Sequence, residues 1–168
     1  MTRPNAAPLT PSQTVGPFFS DCLLRDGAVC DDLAPDAAAA DRIVVYGTVL
    51  DGSGAGVPDA VLELWQDGSR FGRIGTDGGG RFQFSTVRPT DVESPYISVA
   101  VFARGLLNHL YTRIYFADGS PSTDPVMTRV PAERRATLLA RAEGANTYRF
   151  DVVLQGPGET VFFDFAQR

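Results

Sequence analysis

Three residue types limit the chemistry this chain can perform. Histidine occurs once, as His109, so no site with two or three imidazole ligands can come from it. Cysteine occurs twice, as Cys22 and Cys30, which excludes a four-cysteine zinc site; the pair reads as free thiols in a reducing cytoplasm. All 15 basic residues are arginine, which excludes Schiff-base and P-loop lysine chemistry. Serine, histidine and aspartate are all present, but no Gly-x-Ser-x-Gly elbow accompanies them, so nucleophilic hydrolysis is not expected. Gly52-x-Gly54-x-Gly56 joins two strand-like runs, not a strand and a helix, and reads as a hairpin loop, not a dinucleotide fingerprint. Asp51, Asp118 and Asp124 stand beside Gly or Pro as turn caps. His109 reads as a structural histidine, Trp65 as core and Tyr115 as cross-strand packing. Taken alone, these residues describe a β-rich binding module with no self-sufficient active site.

The elements that would position them follow from patterning. The 168 residues, 43% of them hydrophobic, suit one domain, 1–168, with an irregular arm over 1–41 and a core over 42–168. Pro4, Pro8, Pro11 and Pro17 keep the arm out of long regular elements. Runs rich in β-branched and aromatic residues predict strands over 42–50, 60–66, 81–85, 96–103, 108–116, 147–154 and 159–165. The 96–103 run reads as buried on both faces; 108–116 alternates, with Leu110, Thr112, Ile114 and Phe116 on one face and His109, Tyr111, Arg113 and Tyr115 on the other. One helix is expected over 131–141, with Pro131 in its first turn and Gly144 after its end. The fold class is therefore all-β, an antiparallel β-sandwich with one short accessory helix. A net charge of −5 argues against nucleic acid as a partner. No apolar run of about 18 residues argues for a membrane span, and residues 1–9 lack the apolar segment of a signal peptide, so a cytoplasmic location is expected.

The segment Thr10-Pro11-Ser12-Gln13-Thr14-Val15-Gly16-Pro17-Phe18-Phe19 adds a different kind of information. It resembles the N-terminal signature of alpha subunits in the protocatechuate 3,4-dioxygenase family of intradiol ring-cleaving enzymes. Further matches follow in order: Gly47-Thr48-Val49, Val57-Pro58-Asp59-Ala60, Glu63-Leu64-Trp65-Gln66, Phe82-x-Phe84-x-Thr86-x-Arg88-Pro89, Phe102-Ala103-Arg104-Gly105-Leu106, and His109-Leu110-Tyr111-Thr112-Arg113-Ile114-Tyr115-Phe116. The helix-like Arg134-Arg135-Ala136-Thr137-Leu138-Leu139-Ala140 and the ending Phe150-Asp151-Val152-x-Leu154-Gln155-Gly156 complete a resemblance spanning about 10–165.

The resemblance implies aromatic catabolism by the beta-ketoadipate route. The implied reaction is O2-dependent cleavage of 3,4-dihydroxybenzoate between its hydroxyls, giving 3-carboxy-cis,cis-muconate. In that family the beta subunit holds Fe(III) through two Tyr and a His-x-His on a strand. Here that strand offers Tyr96 and Ser98, or Ser98 and Ala100 in the other register, and the tyrosine-bearing loop after Gln66 is reduced to residues 67–72. The resemblance thus implies an alpha subunit that binds no metal and is inactive alone, partnered by an iron-bearing beta subunit in a hetero-oligomer, with protocatechuate and O2 at the interface. It implies no catalytic residue in this chain. It assigns Thr14, Val15, Gly16 and Pro17 to the substrate pocket wall, with Arg113 nearby either to attract the substrate carboxylate or to brace the interface. The rival expectation is a stand-alone β-sandwich interaction module.

Overall fold

The computed structural model describes residues 11, 13, 14, 16, 19–90, 95–117 and 124–164. Among these are nine strands: β1 (Arg42–Leu50), β2 (Val61–Gln66), β3 (Arg70–Gly75), β4 (Arg81–Val87), β5 (Tyr96–Phe102), β6 (Leu110–Phe116), β7 (Leu139–Ala142), β8 (Thr147–Arg149) and β9 (Val152–Val153). They hydrogen-bond in the order β3-β2-β5-β6-β7-β8-β1-β4, with β9 beside β1. β7 passes from one layer to the other, so β3-β2-β5-β6 packs face to face against β8-β1-β4.

Alternation builds the core. In β1 every second residue is buried, from Ile43 to Val49. These side chains meet Phe82 and Phe84 of β4, Leu62 and Leu64 of β2, and Ile97, Val99 and Val101 of β5 in one cluster. A strand that presents one face to such a core must place alternate residues outside it. The N-terminal arm closes the open side of the sandwich: Cys30 bridges to Arg73 on β3, and Asp32 bridges to Ser85 on β4. The Arg42 guanidinium fixes that strap through Asp32 and the Ala34 carbonyl. A second link joins the layers inside: the buried Thr86 hydroxyl donates to Gln66 Oε1 at 2.6 Å, and Gln66 Nε2 donates to the Val87 carbonyl at 3.0 Å. Gly47 sits where the Phe150 backbone, running alongside β1 between β8 and β9, comes closest to it, and a Cβ there would lie 1.7 Å from the Phe150 carbonyl oxygen.

The structure departs from the sequence expectations in several places. The sandwich is mixed, not purely antiparallel, because β8 and β9 run parallel to β1 and β7 runs parallel to β6. The helix expected over 131–141 is a 3-10 helix, Ala132–Leu138, and the chain then extends as β7. Leu139 and Ala140 pair with Tyr115 and Phe116, so sheet pairing overrides helix propensity there. Two five-residue α-helices went unanticipated: α1 (Phe19–Leu23) in the arm and α2 (Pro125–Arg129), whose first turn accepts Pro125. β3 was missed as well; its two glycines, Gly72 and Gly75, mask the strand pattern but make room for Leu33 and Leu24. The expected strand over 147–154 is split into β8 and β9, and the one over 159–165 is reduced to a bridge between Phe163 and Tyr111. Cys22 and Cys30 are both free thiols.

Candidate functional site

The outward face of β3-β2-β5-β6 gathers most of the residues singled out above. Strand register sets their rows. Phe71, Trp65, Ser98 and Arg113 lie side by side across the four strands. The next row is Arg73, Glu63, Ala100 and Tyr111, and Tyr96 pairs with Tyr115 at the other end. β5 is therefore fully buried on its inner face, while on the outer face Ala100 is buried and Tyr96, Ser98 and Phe102 are partly exposed, so the expected burial on both faces holds only in part. Trp65 is the larger surprise: it is 50% exposed and leans on Phe71 at 4.6 Å between ring centroids, so it is not core. Its period-2 position opposite Leu64 carried the correct signal, and residue type misled.

Two additions cover the ends of this face. Leu24, just after α1, packs where a side chain at Gly75 would stand. At the other end Tyr115, Met127, Val130 and Leu138 make a small second core beneath α2 and the 3-10 helix. Asp124 holds that corner together. Its side chain caps α2 through the Val126 N–H at 2.8 Å, and it accepts from Arg113 Nη1 and from the Tyr115 hydroxyl, each at 2.5 Å. The Arg113 guanidinium also lies 3.8 Å from the Tyr96 ring centroid, a cation–π contact. Burial works against the Arg113 charge, but the bonds to Tyr115 and the proximity of Tyr96 and Asp124 outweigh it and raise its pKa. Burial pushes the Tyr115 phenol far up, and its bond to Asp124 adds to that, so it stays protonated. Sequence reading took Asp124 for a turn cap; the capping is real, but its hold on Arg113 arises from tertiary contact.

Of the expected pocket residues, Val15 and Pro17 lie outside the described residues. Thr14 accepts a hydrogen bond from the Gly105 N–H at 2.9 Å, which ties the arm to the turn between β5 and β6. Gly16 has φ +68°. Arg113 stands three residues into β6, about 10 Å along the strand from its start. No bond among the described residues joins Thr14 to Arg113. His109, exposed at the same turn, is sandwiched between Phe102 and Tyr111.

The residues on this face do not suit an iron ion. Tyr96, Ser98 and Ala100 all face outward, so either register of the expected ligand strand presents the same histidine-free surface. A guanidinium lies against Tyr96, and the Tyr115 hydroxyl is protonated and committed to Asp124. The positive charge of the Arg113 guanidinium beside these positions disfavours a ferric ion there. Among the described residues no group of three or more His, Cys, Asp and Glu has metal-binding geometry.

This mixed sandwich is the fold of the intradiol ring-cleavage dioxygenases. It superimposes on such an enzyme from Tetranychus urticae with a TM-score of 0.63 at 14% identity, over 90% of this chain and 98% of the other. No protein-family model matches the sequence. Whole-chain relatives are more specific. The chain is 40% identical to the protocatechuate 3,4-dioxygenase alpha chain of Burkholderia cepacia, over 92% of this chain and 96% of that one. It is 36% identical to the alpha chain of Pseudomonas putida, over 94% and 97%. It also matches the beta chain of the B. cepacia enzyme at 29% identity, over 94% of this chain and 80% of that one. The chain belongs to the protocatechuate 3,4-dioxygenase alpha-chain family.

Proposed function

We propose that this chain is the iron-free alpha subunit of a protocatechuate 3,4-dioxygenase, acting with a beta subunit that carries Fe(III). The complex cleaves 3,4-dihydroxybenzoate with O2 to 3-carboxy-cis,cis-muconate. The observation that carries this reading is the conjunction of near full-length similarity to alpha chains with an outer sheet face whose donors do not suit iron. A chain that keeps the fold but holds Tyr96 and Ser98, or Ser98 and Ala100, at the His-x-His positions contributes shape, not redox chemistry.

In this reading the chain acts by orientation and exclusion of water, which lower a barrier by fixing reactants in place. Residues 14–17 form one wall of the substrate pocket at the subunit interface. Gly16 lets backbone approach a planar ring, and Pro17 supplies a flat apolar surface. Thr14 anchors this wall to Gly105. Arg113, kept cationic and held in one orientation by Asp124 and Tyr96, supplies positive potential for the substrate carboxylate. The pairing with Asp124 offsets part of that charge, so Arg113 acts over a short range.

The test is co-expression with the beta chain encoded in the same host. Iron equimolar with the beta chain, together with protocatechuate-dependent O2 uptake by the complex alone, supports the reading. Iron bound by this chain in isolation, or ring cleavage without a partner, would overturn it.

A further inference from the structure

Three of the alpha-chain-like segments meet at one corner of the molecule: residues 57–60 before β2, residues 103–106 after β5, and Thr14 in the arm. The β2-β5 ladder pairs Val61 with Phe102. Continued by two residues, that register sets Asp59 opposite Arg104, and Arg104 Nε donates to Asp59 Oδ2 at 2.6 Å. The Arg104 side chain is 53% exposed, that of Asp59 only 10%. Asp59 Oδ1 is buried and has no hydrogen-bond partner among the described residues. The guanidinium therefore supplies the compensation that a buried carboxylate needs. Asp59 cannot follow a moving arginine, because its own loop is pinned by Thr76. The Thr76 hydroxyl donates to the Val57 carbonyl at 2.7 Å and accepts from the Ala60 N–H at 3.0 Å.

Arg104 is also a central residue of a tight turn. The Leu106 N–H donates to the Ala103 carbonyl at 3.3 Å, and Gly105 has φ +85°, the pattern of a type II turn. In such a turn the central peptide is turned over relative to type I, because ψ at the first central residue is about +120° instead of about −30°. Here that peptide is the one joining Arg104 to Gly105, and its N–H donates to Thr14 Oγ1 at 2.9 Å. The tie to the arm thus depends on the orientation of one peptide plane, and Asp59 holds the side chain at one edge of that plane.

We propose that Asp59 and Arg104 are positioning residues for the substrate pocket. Their ion pair fixes the turn that holds Thr14, and through Thr14 the wall at residues 14–17. The inference rests on the alpha-subunit reading and gives that wall its anchor in the sandwich. Neither side chain touches substrate in this role. A wall that is already ordered binds an aromatic ring without the ordering cost that a loose one imposes. The wall meets the ring in ground and transition states alike, so loosening it raises KM and leaves kcat in place.

The test uses the complex co-expressed with the beta chain. Arg104→Gln, Asp59→Asn and Gly105→Ala should each raise KM for 3,4-dihydroxybenzoate roughly threefold or more, with kcat changed less than about twofold. A Cβ at Gly105 meets nothing within 4 Å, so that variant acts on the turn alone. Arg104→Gln combined with Thr14→Val should raise KM no further than Thr14→Val does, since both open one link. Arg104→Lys, whose ammonium still reaches Asp59, should restore most of the wild-type KM. A variant that merely folds less well loses active enzyme, which lowers the apparent kcat and leaves KM alone. Hydrogen exchange of the full chain gives a readout that needs no activity: the Gly105 amide should exchange roughly tenfold faster in Arg104→Gln and Thr14→Val than in the wild type. Unchanged KM in the three single variants, or independent KM effects in the double variant, overturns the positioning role while the subunit reading stands. Equal Gly105 exchange in the wild type and Arg104→Gln overturns it as well. A wild-type complex that does not cleave 3,4-dihydroxybenzoate fails the subunit reading itself, and the positioning role falls with it whatever the exchange shows.

Discussion

Arg113 on β6 and Asp124 at the start of α2 meet at 2.5 Å, with side chains only 12% and 4% exposed. One carboxylate thus caps a helix, holds a guanidinium and accepts a buried phenol. Removing it strands two buried partners at once. Asp124→Ala should lower the unfolding free energy by about 3–5 kcal/mol, the range for breaking a buried ion pair from one side. Arg113→Met combined with Asp124→Asn should cost clearly less than the sum of the single changes, because the uncompensated charge is gone. Denaturant unfolding of the wild-type chain, Arg113→Met, Asp124→Asn and the double variant gives the coupling directly; additive costs would contradict the account.

The link between layers through Thr86 and Gln66 makes a second prediction. Thr86→Val conserves shape but leaves Gln66 Oε1 buried without its donor. The expected loss is about 1–3 kcal/mol. Thr86→Ser, which keeps the hydroxyl, should recover part of it. Midpoints of chemical denaturation would rank the three proteins.

Gly47 tests the close approach of the 150–153 segment to β1. A methyl group at this position collides with backbone at Phe150, not with a flexible side chain. Gly47→Ala should destabilise by about 3 kcal/mol or more, at the upper end of overpacking effects. Gly78→Ala makes a useful contrast, since a Cβ there meets nothing within 4 Å.

Acid stability should depend on the turn carboxylates. Asp77 lies below the usual carboxylate range because it accepts from the Arg81 and Gly79 backbone N–H groups. Asp51 does so through the Ser53 hydroxyl and the Ala55 and Ser53 N–H groups. A group with a depressed folded pKa stabilises fully above its unfolded value of about 3.9, and that contribution disappears as pH falls through the lower folded value. Asp77→Asn should therefore melt below the wild-type chain at pH 6, and the gap should close as pH drops below about 4. A gap that widened in acid would reverse the sign and refute the explanation.

Gly16 separates the chain's own requirements from those of the complex. A Cβ at this position meets nothing within 4 Å, but φ +68° disfavours a side chain. Gly16→Val should cost the isolated chain about 1–2 kcal/mol of backbone strain at most. In the complex it should raise KM several-fold for 3,4-dihydroxybenzoate while assembly persists. Unchanged KM would remove residues 14–17 from the pocket wall.

Much of the fold was legible in residue order. The β1 boundaries, the inward set Leu110, Thr112, Ile114 and Phe116, and the turns at 51–56 and 77–80 follow from alternation and turn chemistry, which are local; that these two turns join strands of opposite layers, and so are not the hairpins expected, was set by tertiary packing. β3 was not legible because Gly72 and Gly75 serve the packing of Leu33 and Leu24, which approach from far along the chain. β7 was hidden for a similar reason: Leu139 and Ala140 look helical until Tyr115 and Phe116 are beside them. At the site, sequence singled out Arg113 and Thr14 but not the residues that hold them, Asp124 and Gly105, because those contacts cross 11 and 91 positions.

What the sequence determined by itself was composition-limited: one histidine, no lysine, a sandwich-forming strand pattern and an ordered set of alpha-chain motifs. Those properties depend on residue identity and short-range spacing, which a linear reading contains. Tertiary structure alone decided that Trp65 is exposed on an aromatic sheet face and that Asp124 is buried against Arg113. Both facts depend on which elements cover which face of a strand. That covering is set by long-range packing of α1, α2 and the arm, and no local period encodes it.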